Sequence, residues 1–163
     1  MSISIKRVMD IISLRTINFL SDEMDIHVDR QDIRPISNNR LELNHITSVI
    51  TIGSTPHIFI IFSYEKEFIN KIFEIYTKEL DIRVEERAEY IEETAGDLLN
   101  IIVGNSIAEF INGVAISLSP PIVIASAESI AKSRAVKFFV NDLTTSYGNL
   151  RIFCIGPNEL FEI

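Results

Sequence analysis

The stretch that decides the fold is ETAGDLLNIIVGN, residues Glu93–Asn105. It lies inside a long segment whose apolar spacing predicts a helix. Asp97 and Asn100 are three residues apart, so a helix makes their side chains neighbours. Gly96 and Gly104 interrupt this helix, although a glycine in a helix interior costs roughly 1 kcal/mol relative to alanine. An acid and an amide framed by glycines indicate a functional surface and not ordinary helix filling.

The predicted long helix, residues 85–112, has two distinct faces when its residues are placed at 100° intervals. The apolar face carries Ile91, Ala95, Leu98 and Ile102, with Leu99 at its margin. The opposite face, between about 180° and 240° from Ile91, carries Glu93, Asp97, Asn100 and Gly104. A glycine at such a place allows close approach by another chain. We therefore interpret this outer face as a docking surface.

The spacing of acid and amide is uninformative by itself, because the chain contains it three times. The other two copies are Glu67–Asn70 and Glu109–Asn112, and neither is framed by glycines. A helix face with an acid and an amide is usually a solvated surface. Only the longer string GDLLNIIVGN distinguishes the copy at Asp97 from an ordinary solvated helix face.

The remaining segments predict an α+β fold in one domain spanning residues 1–163. The pattern indicates a helix over 4–20, strand pieces and turns over 24–40, strands over 41–53 and 57–63 joined by a turn, a helix over 64–80, the long helix, and strands over 114–125, 136–140 and 150–155. The apolar face of the second helix runs from Phe68 to Tyr76 and Leu80. This order predicts an antiparallel-leaning sheet packed by helices.

Composition excludes several classes of function. The net charge of -8 argues against a nucleic-acid partner, and the absence of an uninterrupted run of about 18 apolar residues argues against a membrane span. The N-terminus does not resemble a signal peptide. A lone Cys154 fits a reducing cytoplasm. The three histidines, His27, His45 and His57, lack the spacing of a metal site, so no metal is expected.

The string from Gly96 to Asn105 resembles the signature helix of the CheX branch of the CheC/CheX/FliY family. In that pattern a small residue precedes an acid, two variable residues, an asparagine, and a short apolar run that ends in Gly-Asn. Gly96, Asp97, Asn100, Gly104 and Asn105 match in that order. The similarity covers residues 5–156, and a single full signature favours the CheX type over the two-site CheC type.

The resemblance implies a CheC/CheX-like fold and a phosphatase that dephosphorylates a CheY-like response regulator in chemotaxis or related two-component signalling. Asn100 would orient the attacking water, and Asp97 would pair with the regulator's active-site lysine. The partner-binding positions would be Glu93, Gly96, Gly104 and Asn105. The family implies no cofactor of its own, because magnesium belongs to the phosphorylated receiver domain. It also implies a homodimer.

One departure from the family pattern bears on catalysis: Asp97 stands where the family usually has glutamate, which shortens the arm by one methylene. An attenuated phosphatase is one consequence, and Glu93, one turn earlier, could substitute in part. Two alternatives stay open: a non-catalytic adaptor that binds a receiver domain, and a dimeric structural module. A second departure, Pro56-His57 near the hairpin tip, bears only on turn shape.

Overall fold

Helices cover one face of an antiparallel sheet. The computed structural model describes residues 4–53, 57–110, 117–131 and 136–157. Across those residues the helices are α1 (Ile5–Met24), α2 (Lys66–Tyr76) and α3 (Arg87–Phe110), and a 3-10 turn over Val84–Glu86 leads into α3. No helix in these ranges has the length and apolar character needed to cross a bilayer.

Eight strands of the described chain form two sheets. They are β1 (Val28–Ile36), β2 (Arg40–Glu42), β3 (Ile46–Ile52), β4 (Ile58–Tyr64), β5 (Ile122–Ile124), β6 (Ser129–Ala131), β7 (Val136–Thr145) and β8 (Gly148–Pro157). The main sheet has the order β1-β7-β8-β4-β3-β5, and each neighbouring pair is antiparallel. The α+β prediction with an antiparallel-leaning sheet is therefore confirmed.

The main core lies between the helices and the sheet. Strand alternation sends Ile60, Phe62 and Tyr64 of β4 toward the helices, where they join one buried cluster with residues of α1, α2 and α3. On α3 the predicted apolar face is confirmed, because Ala95, Leu98, Leu99 and Ile102 are buried and Ile91 is partly buried against the same core. The core thus fixes which face of α3 points outward.

The other face of the sheet is covered by the small β2–β6 ribbon. Leu41 of that ribbon packs with Phe153 and Val140 in a second buried cluster. Beside it, Asp142 accepts hydrogen bonds from Arg151 and Arg34 at 2.6–3.1 Å. Burial alone would disfavour the charged carboxylate, but the two guanidinium groups outweigh burial and lower the pKa of Asp142.

Several boundaries differ from the sequence prediction. Helix α2 begins after Tyr64, which is the last residue of β4, and ends at Tyr76 instead of Leu80. Thr77 closes α2, because both its backbone N–H and its hydroxyl donate to the Phe73 carbonyl. Of the strand predicted over 114–125, the described part, residues 117–125, contains β5 and an isolated bridge at Leu118. The predictions for residues 54–56 and 111–116 fall outside the described residues.

Candidate functional site

The helix that carries the signature is fixed to the sheet by a buried hydrogen bond. The Tyr64 hydroxyl donates to the Ala95 carbonyl at 2.7 Å and lies 3.1 Å from Ser48 Oγ. Burial raises the pKa of Tyr64, so the phenol stays protonated and remains a donor. This contact lies two residues before Asp97, so it ties the part of α3 that carries Asp97 and Asn100 to β4.

The outer face of α3 presents the predicted acid and amide to solvent. Glu93, Asp97, Asn100 and Gly104 are exposed, as the helical geometry predicts. Their neighbours Leu98 and Leu99 are buried. Because α3 packs against the sheet through its opposite face, Asp97 and Asn100 lie side by side on one exposed surface.

The two glycines of the signature have different surroundings. Gly96 is buried, and a Cβ built there would lie 3.3 Å from Val123 Cγ2 and 3.6 Å from Pro121. It therefore makes room for the segment leading into β5, and its role in partner binding stays a prediction. Gly104 is exposed, and a Cβ there would meet nothing within 4 Å. Nothing in the described chain requires a glycine at Gly104.

Asn105 lies away from the Asp97–Asn100 pair. It is exposed but lines a cavity of about 160 Å³ between α1 and α3, together with Arg15 and Asp22. Five helical residues turn its side chain about 140° from that of Asn100. Of the predicted site residues, the structure thus brings together Glu93, Asp97, Asn100 and Gly104, and it places Gly96 and Asn105 on the flanks.

Tyr76 is a neighbour of Asp97, although the apolar pattern of α2 predicts that it lies on the buried face of that helix. The side chain is 37% exposed and lies at the last residue of α2, which packs on α3. Partial burial raises the pKa of Tyr76, and the negative charge of Asp97 adds to the effect. A phenol that stays protonated beside the carboxylate offers a hydrogen-bond donor at the edge of the site. No sequence signal separates Tyr76 from the core residues Phe68, Ile72 and Phe73.

The other side chains considered as candidates for a metal site or for reactivity lie away from the outer face of α3. His27, His45 and His57 are each exposed, and no group of three or more metal-ligating side chains occurs within the described ranges. Cys154 is buried, which raises the pKa of its thiol and leaves it protonated. Glu109, from another copy of the acid-x-x-Asn pattern, forms an ion pair with Arg15 of α1.

Solved structures similar to this chain come from chemotaxis proteins. A putative chemotaxis protein from Desulfovibrio vulgaris Hildenborough is 19% identical, with a TM-score of 0.73 over 90% of this chain and 94% of that one. A chemotaxis protein CheX from Desulfovibrio desulfuricans is 15% identical, with a TM-score of 0.74 over 90% and 97%. CheX in a CheX-CheY-BeF3-Mg complex from Borrelia burgdorferi is 13% identical, with a TM-score of 0.67 over 91% and 96%.

These similarities establish the fold, and a family model establishes the membership. No curated protein matches the sequence at a significant level. The model described as chemotaxis phosphatase CheX matches residues 46–144, which include α2, the whole of α3, strands β3, β4 and β5, and all of β7 but its last residue. The signature helix, its exposed acid and amide, and this match lead to one conclusion. The chain belongs to the chemotaxis phosphatase CheX family.

Proposed function

We propose that the protein hydrolyses the aspartyl phosphate of a CheY-like response regulator. The observation that carries the proposal is the exposed pair Asp97 and Asn100, presented side by side by a helix packed against the sheet. The membership in a chemotaxis phosphatase family supports it. The fold is also shared with the CheX of Borrelia burgdorferi, whose structure was solved as a complex with CheY, BeF3 and magnesium.

Asn100 is proposed to orient the attacking water. A carboxamide suits this role because its NH2 donates and its carbonyl accepts, so one side chain can fix both the position and the rotation of a water molecule. The water oxygen attacks phosphorus, and the bond from phosphorus to the aspartyl oxygen breaks with its electron pair on the regulator's carboxylate. A water proton passes to a phosphate oxygen, giving dihydrogen phosphate. The acceleration comes from orientation of the nucleophile.

Asp97 is proposed to bind the regulator's active-site lysine. A carboxylate and an ammonium form a charge-assisted hydrogen bond, which anchors α3 in the regulator's site. The arm of Asp97 is one methylene shorter than that of glutamate, and catalysis is sensitive to a displacement of about 1 Å. We therefore expect a lower rate than a glutamate would give. Glu93, exposed one turn earlier, is placed to contribute a second negative charge.

The reaction needs no metal or cofactor held by this chain. Magnesium is expected on the partner receiver domain, where it neutralises phosphate charge. Hydrolysis is direct and forms no covalent intermediate on the phosphatase. We further propose that the protein acts in the cytoplasm, where response regulators are found, and that it forms a homodimer.

The test is the decay of phosphorylated receiver domains from the same organism, followed as released phosphate with and without the protein. The proposal predicts faster decay for at least one receiver at catalytic amounts of protein. Unchanged decay for every receiver tested would refute it. Equilibrium unfolding of the same preparation serves as the control that the protein is folded.

A second candidate is an adaptor that binds the phosphorylated receiver without hydrolysing it. The observation that favours it is Asp97, because a shortened arm that still binds the lysine would shift α3 and move Asn100 out of position relative to the phosphoryl group. Binding of the phosphorylated form with unchanged or slower phosphate loss would select this adaptor. Faster phosphate loss in the presence of the protein excludes the adaptor.

A further inference from the structure

A group of exposed apolar side chains adjoins the outer face of α3. The connection from α2 to α3 leaves Leu80 59% exposed and Val84 87% exposed. Tyr76 at the end of α2 is 37% exposed, and Tyr90 on the first turn of α3 is 36% exposed. These four residues, Tyr76, Leu80, Val84 and Tyr90, are called the apolar shoulder below.

The apolar shoulder is continuous with the acid and amide. Tyr90 precedes Asp97 by seven residues, so two helical turns place both on nearly the same line along α3. Tyr76 lies close enough to Asp97 for the carboxylate charge to raise the pKa of its phenol. Leu80 and Val84 lie on the short connection between these two tyrosines. A partner that covers Asp97 from this side therefore meets the shoulder.

Exposed apolar side chains are common one at a time, but a group of them marks a contact surface. Half of the eight large apolar side chains exposed in the described chain fall within residues 76–90, beside the proposed active residues. Two of the four are tyrosines, which are enriched in protein interfaces because the ring is apolar and the hydroxyl is polar. This composition fits a protein partner.

The charge around the shoulder indicates the chemistry of that partner. Residues 77–97 contain eight acidic side chains and three basic ones. Of the basic ones, Arg83 already pairs with Glu86 and Glu85, and Arg87 lies 4.6 Å from the ring centroid of Phe73. The segment that carries the shoulder therefore has five more acidic than basic side chains beside its exposed apolar residues. It complements a surface with apolar residues beside a lysine.

We propose that the apolar shoulder is a docking site for the same receiver domain whose aspartyl phosphate meets Asn100. This inference rests on the proposed function and adds to it a second contact surface, which supplies affinity while Asp97 and Asn100 supply catalysis. The shoulder's occupant is the receiver surface that surrounds the active-site lysine. Its contribution belongs to binding and not to the chemical step.

The test separates binding from chemistry in the full chain. Binding is measured as the Kd for CheY-like receivers of the same organism loaded with beryllium fluoride and Mg²⁺, where BeF3 stands in for the phosphoryl group. Chemistry is measured as the single-turnover rate of phosphate loss at saturating protein. The variant carries Leu80→Ser and Val84→Ser together, and Leu14→Ser on α1 is the matched control because Leu14 is 58% exposed.

The proposal predicts a Kd about tenfold higher for the double variant, with a saturating rate close to that of wild type. Leu14→Ser should change neither. An unchanged Kd for the double variant, or an equal rise in the Kd of Leu14→Ser, would overturn the proposal that the shoulder is a docking site and leave the phosphatase proposal intact. A wild-type protein that neither binds nor dephosphorylates any receiver would overturn both. Because Leu80 and Val84 are mostly exposed, thermal unfolding should show both variants folded.

Discussion

Replacing Gly104 by alanine should make the protein more stable and a poorer phosphatase. Gly104 lies inside α3, where glycine costs roughly 1 kcal/mol relative to alanine. A Cβ at this position meets no atom within 4 Å, so no steric penalty offsets the gain. We expect Gly104→Ala to raise the free energy of unfolding by about 1 kcal/mol, which corresponds to a rise in Tm of about 3 °C for a chain of this size.

The substitution should hinder the approach of the receiver to α3. Gly104 lies one turn beyond Asn100 on the same outer face, so its missing side chain leaves room for a receiver to approach the helix backbone. A methyl group there would hold the receiver away from Asn100. Because displacements near 1 Å are costly in catalysis, we expect the saturating rate of phosphate loss to fall by about tenfold or more.

The assay combines denaturant unfolding with phosphate release from a phosphorylated receiver. Gly96→Ala is the matched control, since it makes the same chemical change in the same helix. Its Cβ would press on Val123 Cγ2 at 3.3 Å, so its stability gain should be smaller than that of Gly104→Ala. A Gly104→Ala protein that is stabilised but retains wild-type turnover would refute the idea that partner approach explains the glycine. A variant with no gain in stability would refute the energetic reasoning.

Three further predictions concern single side chains. Tyr64→Phe removes the hydrogen bond to Ala95 and should lower the free energy of unfolding by about 1 kcal/mol in denaturant titrations, whereas an unchanged value would contradict a supporting role. Asp142 has a lowered pKa in the folded protein, so its stabilisation is present at neutral pH and is lost on acidification below about pH 4. Asp142→Asn should therefore lower Tm at pH 7 and weaken the fall of Tm in acid; an equal fall in both proteins would count against this. Asp97→Glu should raise the saturating rate of phosphate release if the short arm limits catalysis, and no rise in a variant that still binds the receiver would exclude that cause.

The outer face of α3 could be predicted from the sequence because two local signals agree. The apolar residues repeat with the helical period, and this repeat alone decides that Asp97 and Asn100 face outward. The order of helices and strands likewise gives the α+β class. Both depend on neighbours in sequence, which a single chain displays directly.

The surroundings of that face depend on contacts between distant segments. The packing of Val123, from a segment beyond the helix, against Gly96 depends on such a contact. Tyr76 continues the apolar pattern of α2, yet the helix ends there and leaves the ring half-exposed beside Asp97. Strand β1 is largely polar and contains Pro35, which an edge strand tolerates because one side of its backbone is unpaired. The packing against Gly96 and the early end of α2 have no local sequence signal, whereas Pro35 in a polar strand is itself a signal of an edge strand.

The most direct measurement of the central claim is the rate constant for phosphate loss at saturating protein for Asn100→Ala relative to wild type. Asn100 is exposed, so the variant should fold and should bind a BeF3-loaded receiver as wild type does. We predict that its rate constant falls by about a hundredfold, toward the receiver's own decay. A folded, binding-competent Asn100→Ala protein with the wild-type rate constant would contradict the claim that Asn100 orients the attacking water.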